Sequence, residues 1–156
     1  MNEYKVYRET LKALLDYKVR KPFYWHVSDD EIFFSSNGYM GFFCKVDNFP
    51  LNLKLLDKSD KVHIEKPKDL SEMKKLVMKD IALVDSRRKK KELIRQLSDG
   101  ELKVAVREEY LSYFDENCYF YGTDALSTVY VYEHNSIGDS PAGAVMPCRA
   151  DWGDDK

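Results

Sequence analysis

The chain of 156 residues has few cysteines and no long apolar run, and these absences exclude several classes of protein. Its three cysteines, Cys44, Cys118 and Cys148, are an odd number at wide spacing, whereas a disulfide framework needs an even number and a zinc site needs closely paired ligands. We therefore expect three reduced thiols, no cofactor and a cytoplasmic location. No apolar segment approaches the ~20 residues that cross a bilayer, and no signal peptide is recognisable, so we expect no membrane association.

The sequence also lacks the motifs of common catalytic sites. It contains no G-x-S-x-G, H-E-x-x-H or phosphate-binding-loop pattern. His26, His63 and His134 are far apart, and we interpret each as a surface or structural residue rather than as a ligand or base. We therefore expect a protein that is not an enzyme. The alternative is an enzyme of unrecognised type, which would need a deep pocket with ionisable groups of perturbed pKa.

Aromatic residues, in contrast, are abundant and clustered. The chain contains 11 tyrosines and 8 phenylalanines, is 44% hydrophobic and 33% charged, and has a formal net charge of -2. This composition and length are typical of one globular domain, and the aromatic clusters favour β-strands. The stretches 119–121 and 129–132 place aromatic residues on both faces of a sheet, so an isolated domain would expose apolar surface and an edge. We therefore expect self-association, with a dimer as the simplest form.

The first 66 residues follow the order strand, helix, three strands. Residues 4–7 alternate as a short strand does, and residues 8–16 carry leucines at helical spacing. Asn37-Gly38 is typical of a tight hairpin turn between two strands. The three later strands are predicted at 23–27, 31–35 and 39–46.

The middle of the chain has a helical pattern. Asp69 is suited to cap a helix, and apolar residues follow it at spacings of three and four residues. They are Leu70, Met73, Val77, Ile81 and Val84, and Leu93, Ile94 and Leu97 resume the pattern before Gly100. Residues 67–100 are therefore predicted to form one bent helix or two helices, after a short strand at 61–65.

The element order of the first half returns after Gly100. A strand is predicted at 102–106, a helix at 107–114, and strands at 118–121, 128–132 and 143–149. Val6-x-x-Glu9-x-Leu11 also recurs as Val106-x-x-Glu109-x-Leu111. The repeated order predicts one domain, residues 1–150, whose halves (about 1–66 and 101–150) are joined by the helical connection 67–100. A polar tail follows at 151–156.

Several segments resemble parts of a DNA clamp. The opening residues 1–14 are similar to a clamp's first strand and helix, and Ser35-Ser36-Asn37-Gly38-Tyr39-Met40 stands where clamps carry an Ala-Thr-Asp-Gly-His-Arg hairpin. Residues 104–111 resemble the strand and helix that begin the closing half of a clamp domain. Leu126-Ser127-Thr128-Val129 resembles a Leu-Ser-Pro stretch, and residues 144–149 resemble the terminal Met-Pro-x-Arg strand. In this order the segments resemble a single domain of the bacterial DNA polymerase III beta-type sliding clamp.

The resemblance implies an α+β, DNA-clamp-like domain with two strand-helix-three-strand halves, antiparallel sheets and an extra helical segment in the middle. It implies a non-catalytic interaction module whose partners are replication or repair proteins, in a cellular replication system or a mobile element. In clamps the terminal strand helps to line a hydrophobic groove for short peptides, so Met146, Pro147 and Arg149 are the candidate groove residues. The alternative is that these residues only close the sheet.

Basic residues support a second interpretation, contact with DNA. A run of five basic residues is typical of a phosphate-contacting segment, although nearby acidic residues also fit a solvated surface. The candidate DNA contacts are Arg8, Lys12, Arg87, Arg88, Lys89, Lys90 and Lys91. Two departures argue against a ring on DNA: a clamp ring needs six such domains, and the second predicted helix carries Glu108 and Glu109.

Overall fold

A computed structural model describes residues 1–16, 23–49, 51–52, 64, 66–85, 91–134 and 140–150. Two α-helices occur in this part of the chain, together with short 3-10 helices at Val46–Asn48 and Leu70–Glu72. The α-helices are α1 (Glu3–Asp16) and α2 (Glu108–Leu111). The strands are β1 (Tyr24–Ser28), β2 (Glu31–Ser35), β3 (Met40–Lys45), β4 (Lys74–Asp85), β5 (Lys91–Ser98), β6 (Lys103–Arg107), β7 (Tyr119–Gly122), β8 (Val129–Tyr132) and β9 (Gly143–Val145).

The strands form one antiparallel sheet in the order β1-β2-β3-β9-β8-β7-β4-β5-β6. The meander β1–β3 meets the meander β7–β9 where residues 40–42 of β3 pair with residues 143–145 of β9. β4 joins the far side of β7 through residues 74–76, and β5 and β6 follow. The predicted α+β class with antiparallel strands is therefore correct. Within the described residues, no helix combines the length and apolarity that a membrane span requires.

The main core lies between the sheet and the two helices. Val6 of α1 and Leu111 of α2 are buried in the same cluster as Phe34, Leu97 and Val131 of the sheet. The two helical regions also touch directly, because the Asn2 amide donates to the Tyr113 carbonyl at 2.9 Å. A smaller cluster of Phe33, Phe43 and Ala144 is separate from the main core. Residues from the front and back of the chain thus share one core.

The N-terminal segment differs from its prediction. Residues 4–7 belong to α1 and not to a strand. Val6 is 1% exposed and Thr10, one helical turn later, is 3% exposed, so a helix buries both on one face. The Thr10 hydroxyl also donates to the Val6 carbonyl at 2.8 Å. The front half is therefore helix and three strands, whereas the back half keeps the predicted strand, helix and three strands (β6, α2, β7–β9).

The predicted helical connection 67–100 is wrong. Among the described residues of this segment, only Leu70–Glu72 is helical, as a 3-10 turn capped by Asp69, and residues 74–85 and 91–98 form the antiparallel strands β4 and β5. A β-bulge lies between Met78 and Ile81, where the pairing register with β5 shifts. The extra residue interrupts the strict alternation of a strand, so the apolar residues of β4 fall at spacings that resemble a helix.

The remaining elements agree with the prediction in kind but differ in length. β1, β2, β3, β6, β7 and β8 lie within one or two residues of the predicted strands. α2 is only four residues long, and the last strand is Gly143–Val145 rather than 143–149. Except for Ile64, the strand predicted at 61–65 lies outside the described residues, and so does the tail 151–156.

Candidate functional site

A cleft of about 690 Å³ lies between the Leu70–Glu72 turn, the loop before β8 and the residue that follows β9. Its apolar lining is Pro67, Met73, Leu126, Tyr130 and Met146. The polar residues of the lining are Lys68, Asp69, Glu72, Thr123, Ser127 and Thr128. A lining that combines apolar side chains with a few polar ones is usual for a surface that binds a peptide or a small ligand.

The loop before β8 is held by Asp124. Its carboxylate accepts hydrogen bonds from the amides of Leu126 and Ser127, each at 2.8 Å, and from the Ser127 hydroxyl. The Ser127 hydroxyl and then the two amides lower the pKa of Asp124, so this carboxyl stays ionised and able to accept. The loop therefore holds Leu126 outward, with 57% of its surface exposed at the cleft.

Met146 is held by the hairpin turn at Asn37-Gly38. The Met146 amide donates to the Tyr39 carbonyl at 2.7 Å. The Asn37 side-chain oxygen in turn accepts from the amides of Tyr39 (2.9 Å) and Met40 (3.0 Å), and Gly38 has a φ of 72°, which favours glycine. On the other side, the Thr128 hydroxyl lies 3.4 Å from the Met146 sulfur. The cleft thus joins Leu126–Thr128 to Met146, and the hairpin turn supports them.

The opposite wall comes from the segment that was predicted to be helical. Asp69 accepts from the Ser71 amide at 2.8 Å and from the Ser71 hydroxyl at 2.6 Å. The Met73 amide then donates to the Leu70 carbonyl at 3.0 Å, which closes the turn before β4 begins. Pro67 and Met73 were not among the predicted site residues. The Asp69-x-Ser71 pattern is a local turn signal that indicates such a wall.

Of the three predicted groove residues, only Met146 lines the cleft. Pro147 is half-buried and Arg149 is exposed, and both lie beyond β9. The Cys148 amide donates to the Ala105 carbonyl of β6 at 2.8 Å, so this segment runs beside β6. The cleft therefore contains Met146 beside Leu126 and Met73, but neither Pro147 nor Arg149, and a peptide groove stays a prediction.

The candidate DNA contacts lie on different elements. Arg8 and Lys12 lie on α1, and both contact Glu9, at 3.3 and 2.9 Å. The hydrogen bond from Lys12, more than that from Arg8, lowers the pKa of Glu9. Arg87 to Lys90 lie outside the described residues, and Lys91 is the exposed first residue of β5. DNA contact stays a prediction.

The side chains of Tyr119, His134 and Lys75 lie together near the start of β7. Tyr119 Oη and His134 Nδ1 are 2.6 Å apart, and the Lys75 ammonium lies 3.8 Å from the centre of the Tyr119 ring. All three cysteines are free, and burial raises the pKa of Cys44 to about 11. No three His, Cys, Asp or Glu side chains in the described ranges are grouped as metal ligands.

Comparison with known proteins found no relative of this chain. No family model, no curated protein and no solved structure matches the chain. The resemblance to a sliding clamp therefore rests on the segments quoted above and stays a prediction.

Proposed function

We propose that the chain is a clamp-like interaction module, without catalytic activity, that binds a short peptide segment of a replication or repair protein. The cleft at Leu126 and Met146 is the binding site. One observation carries this proposal: Leu126–Thr128 and Met146, which belong to two separate segments of resemblance, line the same cleft. The third segment, at Asn37, supports them through Tyr39.

The arrangement of elements supports a clamp-like fold. A helix followed by a three-stranded meander occurs twice, as α1 with β1–β3 and as α2 with β7–β9. The last strands of the two meanders are neighbours, and the helical regions touch at Asn2 and Tyr113. The β4–β5 hairpin and the missing first strand depart from the expected repeat.

The lining of the cleft indicates what kind of peptide fits. Met73 and Met146 have flexible, polarizable side chains that adapt to different apolar groups, and Leu126 is open to solvent. A peptide with two or three apolar side chains close together would cover this surface. The polar side chains of the lining would form hydrogen bonds with the peptide backbone. Binding of this kind removes apolar area from water and needs no reacting groups.

The first prediction follows from Leu126, and selection from a displayed random-peptide library supplies the probe. The best peptide should bind the parent chain, and Leu126→Lys should weaken it at least tenfold because a charge replaces apolar contact. Fluorescence polarisation with the labelled peptide measures this change. Leu83→Lys is the matched control, since Leu83 is 58% exposed on the β4–β5 hairpin and Leu126 is 57% exposed. Failure to enrich any peptide, or equal binding by the Leu126→Lys variant, would contradict the proposal.

A further inference from the structure

The β4–β5 hairpin has a long unpaired edge. β4 is 12 residues long, but β7 pairs only with residues 74–76. In the described part of the chain, residues 77–85 have no neighbouring strand on that side. In an antiparallel strand roughly half of the backbone amides and carbonyls point to each side, so several donors and acceptors along this edge lack a ladder partner. Such an edge is a template for another strand.

The same hairpin carries most of the exposed apolar surface. Nine large hydrophobic side chains are exposed in the described residues, and five of them lie on β4 and β5. Those five are Val77 (48%), Met78 (39%), Ile81 (45%), Leu83 (58%) and Leu93 (51%). Met78, Ile81, Leu83 and Leu93 lie on one face of the hairpin, and exposed apolar surface of this kind marks an interaction site.

Four of these exposed residues continue the core face of the sheet, whereas Val77, which pairs with Ser98, lies on the opposite face. Leu97 is fully buried and pairs with Met78, and Leu93, four residues earlier on the same face, pairs with Leu83. β6 covers β5 only from Ile94 to Ser98, so the buried layer ends before Leu93 is reached. Ile81, Leu83 and Leu93 thus present apolar side chains on the core face at a place where no strand or helix of the described residues covers them.

We propose that a second copy of this chain covers this surface, with the two β4 edges paired antiparallel about a two-fold axis at Ala82. The proposal does not rest on the peptide cleft, which lies at Leu126 and Met146. In the proposed dimer, the nine-stranded sheets of the two copies are joined through the paired β4 edges.

The sequence of β4 selects this register. A two-fold axis between antiparallel strands must pass through a residue position, because facing side chains lie on the same side of the sheet. Centring on Asp80 would set two carboxylates opposite each other, which is destabilising. Centring on Ile81 would set Leu83 against Lys79, and centring on Leu83 would set Ile81 against Asp85. Centring on Ala82 sets Ile81 opposite Leu83 of the second copy twice. Leu93 of each copy then flanks the apolar seam.

The oligomeric state in solution tests whether a second copy of the chain covers this surface. The parent chain should have the mass of a dimer by light scattering after gel filtration, and Leu83→Lys should raise the dissociation constant of the dimer at least tenfold, because each dimer carries the charge twice. Leu126→Lys, at an equally exposed leucine, should remain dimeric. A monomeric parent, or a Leu83→Lys variant that remains dimeric, would overturn the proposal. Leu83→Lys should lose the dimer and keep peptide binding, whereas Leu126→Lys should keep the dimer and lose peptide binding. These opposite results would distinguish the dimer surface from the peptide cleft.

A crosslink tests the register. Residues directly opposite in an antiparallel pair have Cα atoms about 4.5–5.5 Å apart, within the range of a disulfide, so Ala82→Cys should form a dimer under mild oxidation. Val84→Cys should not, since its two copies would be roughly 13 Å apart along the strands. The parent chain, with its three free cysteines, is the background control. Equal crosslinking of both variants, or none with Ala82→Cys, would overturn the two-fold register.

Discussion

At the residue scale, Glu108 shows how an ion-pair partner changes the interpretation of a charged residue. In the sequence it argued against contact between α2 and DNA, but in the structure Arg95 of β5 neutralises it. Arg95 Nε and Nη2 donate to the two carboxylate oxygens of Glu108 at 2.8 and 2.7 Å, a bidentate pair. These hydrogen bonds lower the pKa of Glu108 and raise the pKa of Arg95. The pair ties α2 to the hairpin.

This pair predicts a pH-dependent stability. Glu108→Gln should lower the free energy of unfolding by about 1 kcal/mol at pH 7, because the charge of Arg95 loses its carboxylate partner in a partly buried pair. The folded-state pKa of Glu108 is depressed, so its stabilisation is complete above the unfolded pKa of about 4.3 and is lost as the pH falls through the folded value. Urea unfolding of parent and variant at pH 7 and pH 3 measures the difference.

Glu109 provides the control for that comparison. It is 69% exposed and lies 3.8 Å from Arg107, so Glu109→Gln should change the free energy of unfolding little at either pH. If Glu108→Gln lowered the free energy of unfolding equally at pH 3 and pH 7, the carboxylate charge would not be the cause of the lost stability.

At the element scale, the contact between β3 and β9 depends on two glycines. A Cβ on Gly143 would lie 2.6 Å from the Phe114 ring and 2.7 Å from the Gly41 carbonyl oxygen. A Cβ on Gly41 would lie 2.2 Å from the Phe33 ring and 2.9 Å from the Phe34 carbonyl oxygen. Both the aromatic rings and the carbonyl oxygens of the neighbouring strands leave no space for a side chain at these two positions. Glycine is required here by close approach.

We therefore expect Gly143→Ala to destabilise the fold by about 2 kcal/mol, the usual cost of overpacking a buried site. Gly122→Ala is a matched strand variant, because its Cβ would meet only side chains, those of Leu76 at 3.2 Å and Val129 at 3.9 Å, and side chains can move. Chemical denaturation of the two variants gives the comparison. Equal losses would mean that the aromatic cover of the seam adapts, contrary to this account.

Local sequence patterns predicted the two meanders well, because their aromatic runs and the Asn37-Gly38 turn act over a few residues. They failed at β4, where the bulge after Met78 gives a strand the apolar spacing of a helix. They also failed at residues 4–7, where burial of Val6 and Thr10 against the sheet outweighs the strand preference of the aromatic residues. Both errors concern segments whose structure is decided by distant contacts.

The candidate cleft was predictable only in part. Of the predicted groove residues Met146, Pro147 and Arg149, only Met146 lines it, and Leu126–Thr128 was recognised as a segment of resemblance rather than as part of a groove. Pro67 and Met73 were missed because their position depends on where β4 joins β7, a pairing between residues about fifty positions apart. No periodicity in the sequence encodes that neighbour.

At the scale of the whole molecule, one core connects both halves of the chain. Val6, Ile32 and Phe34 from the front share a cluster with Val106, Val131 and Val145 from the back. Neither meander has a separate main core, because each is completed by the helices and by the other meander. The halves are therefore parts of one folding unit.

We expect the two meanders to unfold together. In hydrogen exchange with increasing denaturant, the slowest amides of β2 and β8 should converge on the same free energy of opening, since both require loss of the shared core. Mass spectrometry of peptides from each strand measures the two values. Exchange of β2 at a much lower free energy than β8 would indicate two independent units.

The position of β9 also has a consequence for synthesis. β9 pairs with both β3 and β8, yet Ala144 is made about a hundred residues after its partner Gly41. At a translation rate of roughly 5–20 residues per second, β3 waits roughly 5–20 s on the ribosome with its edge open. The middle of the finished sheet is thus completed late, and the edge of β3 has no strand partner until β9 has been made.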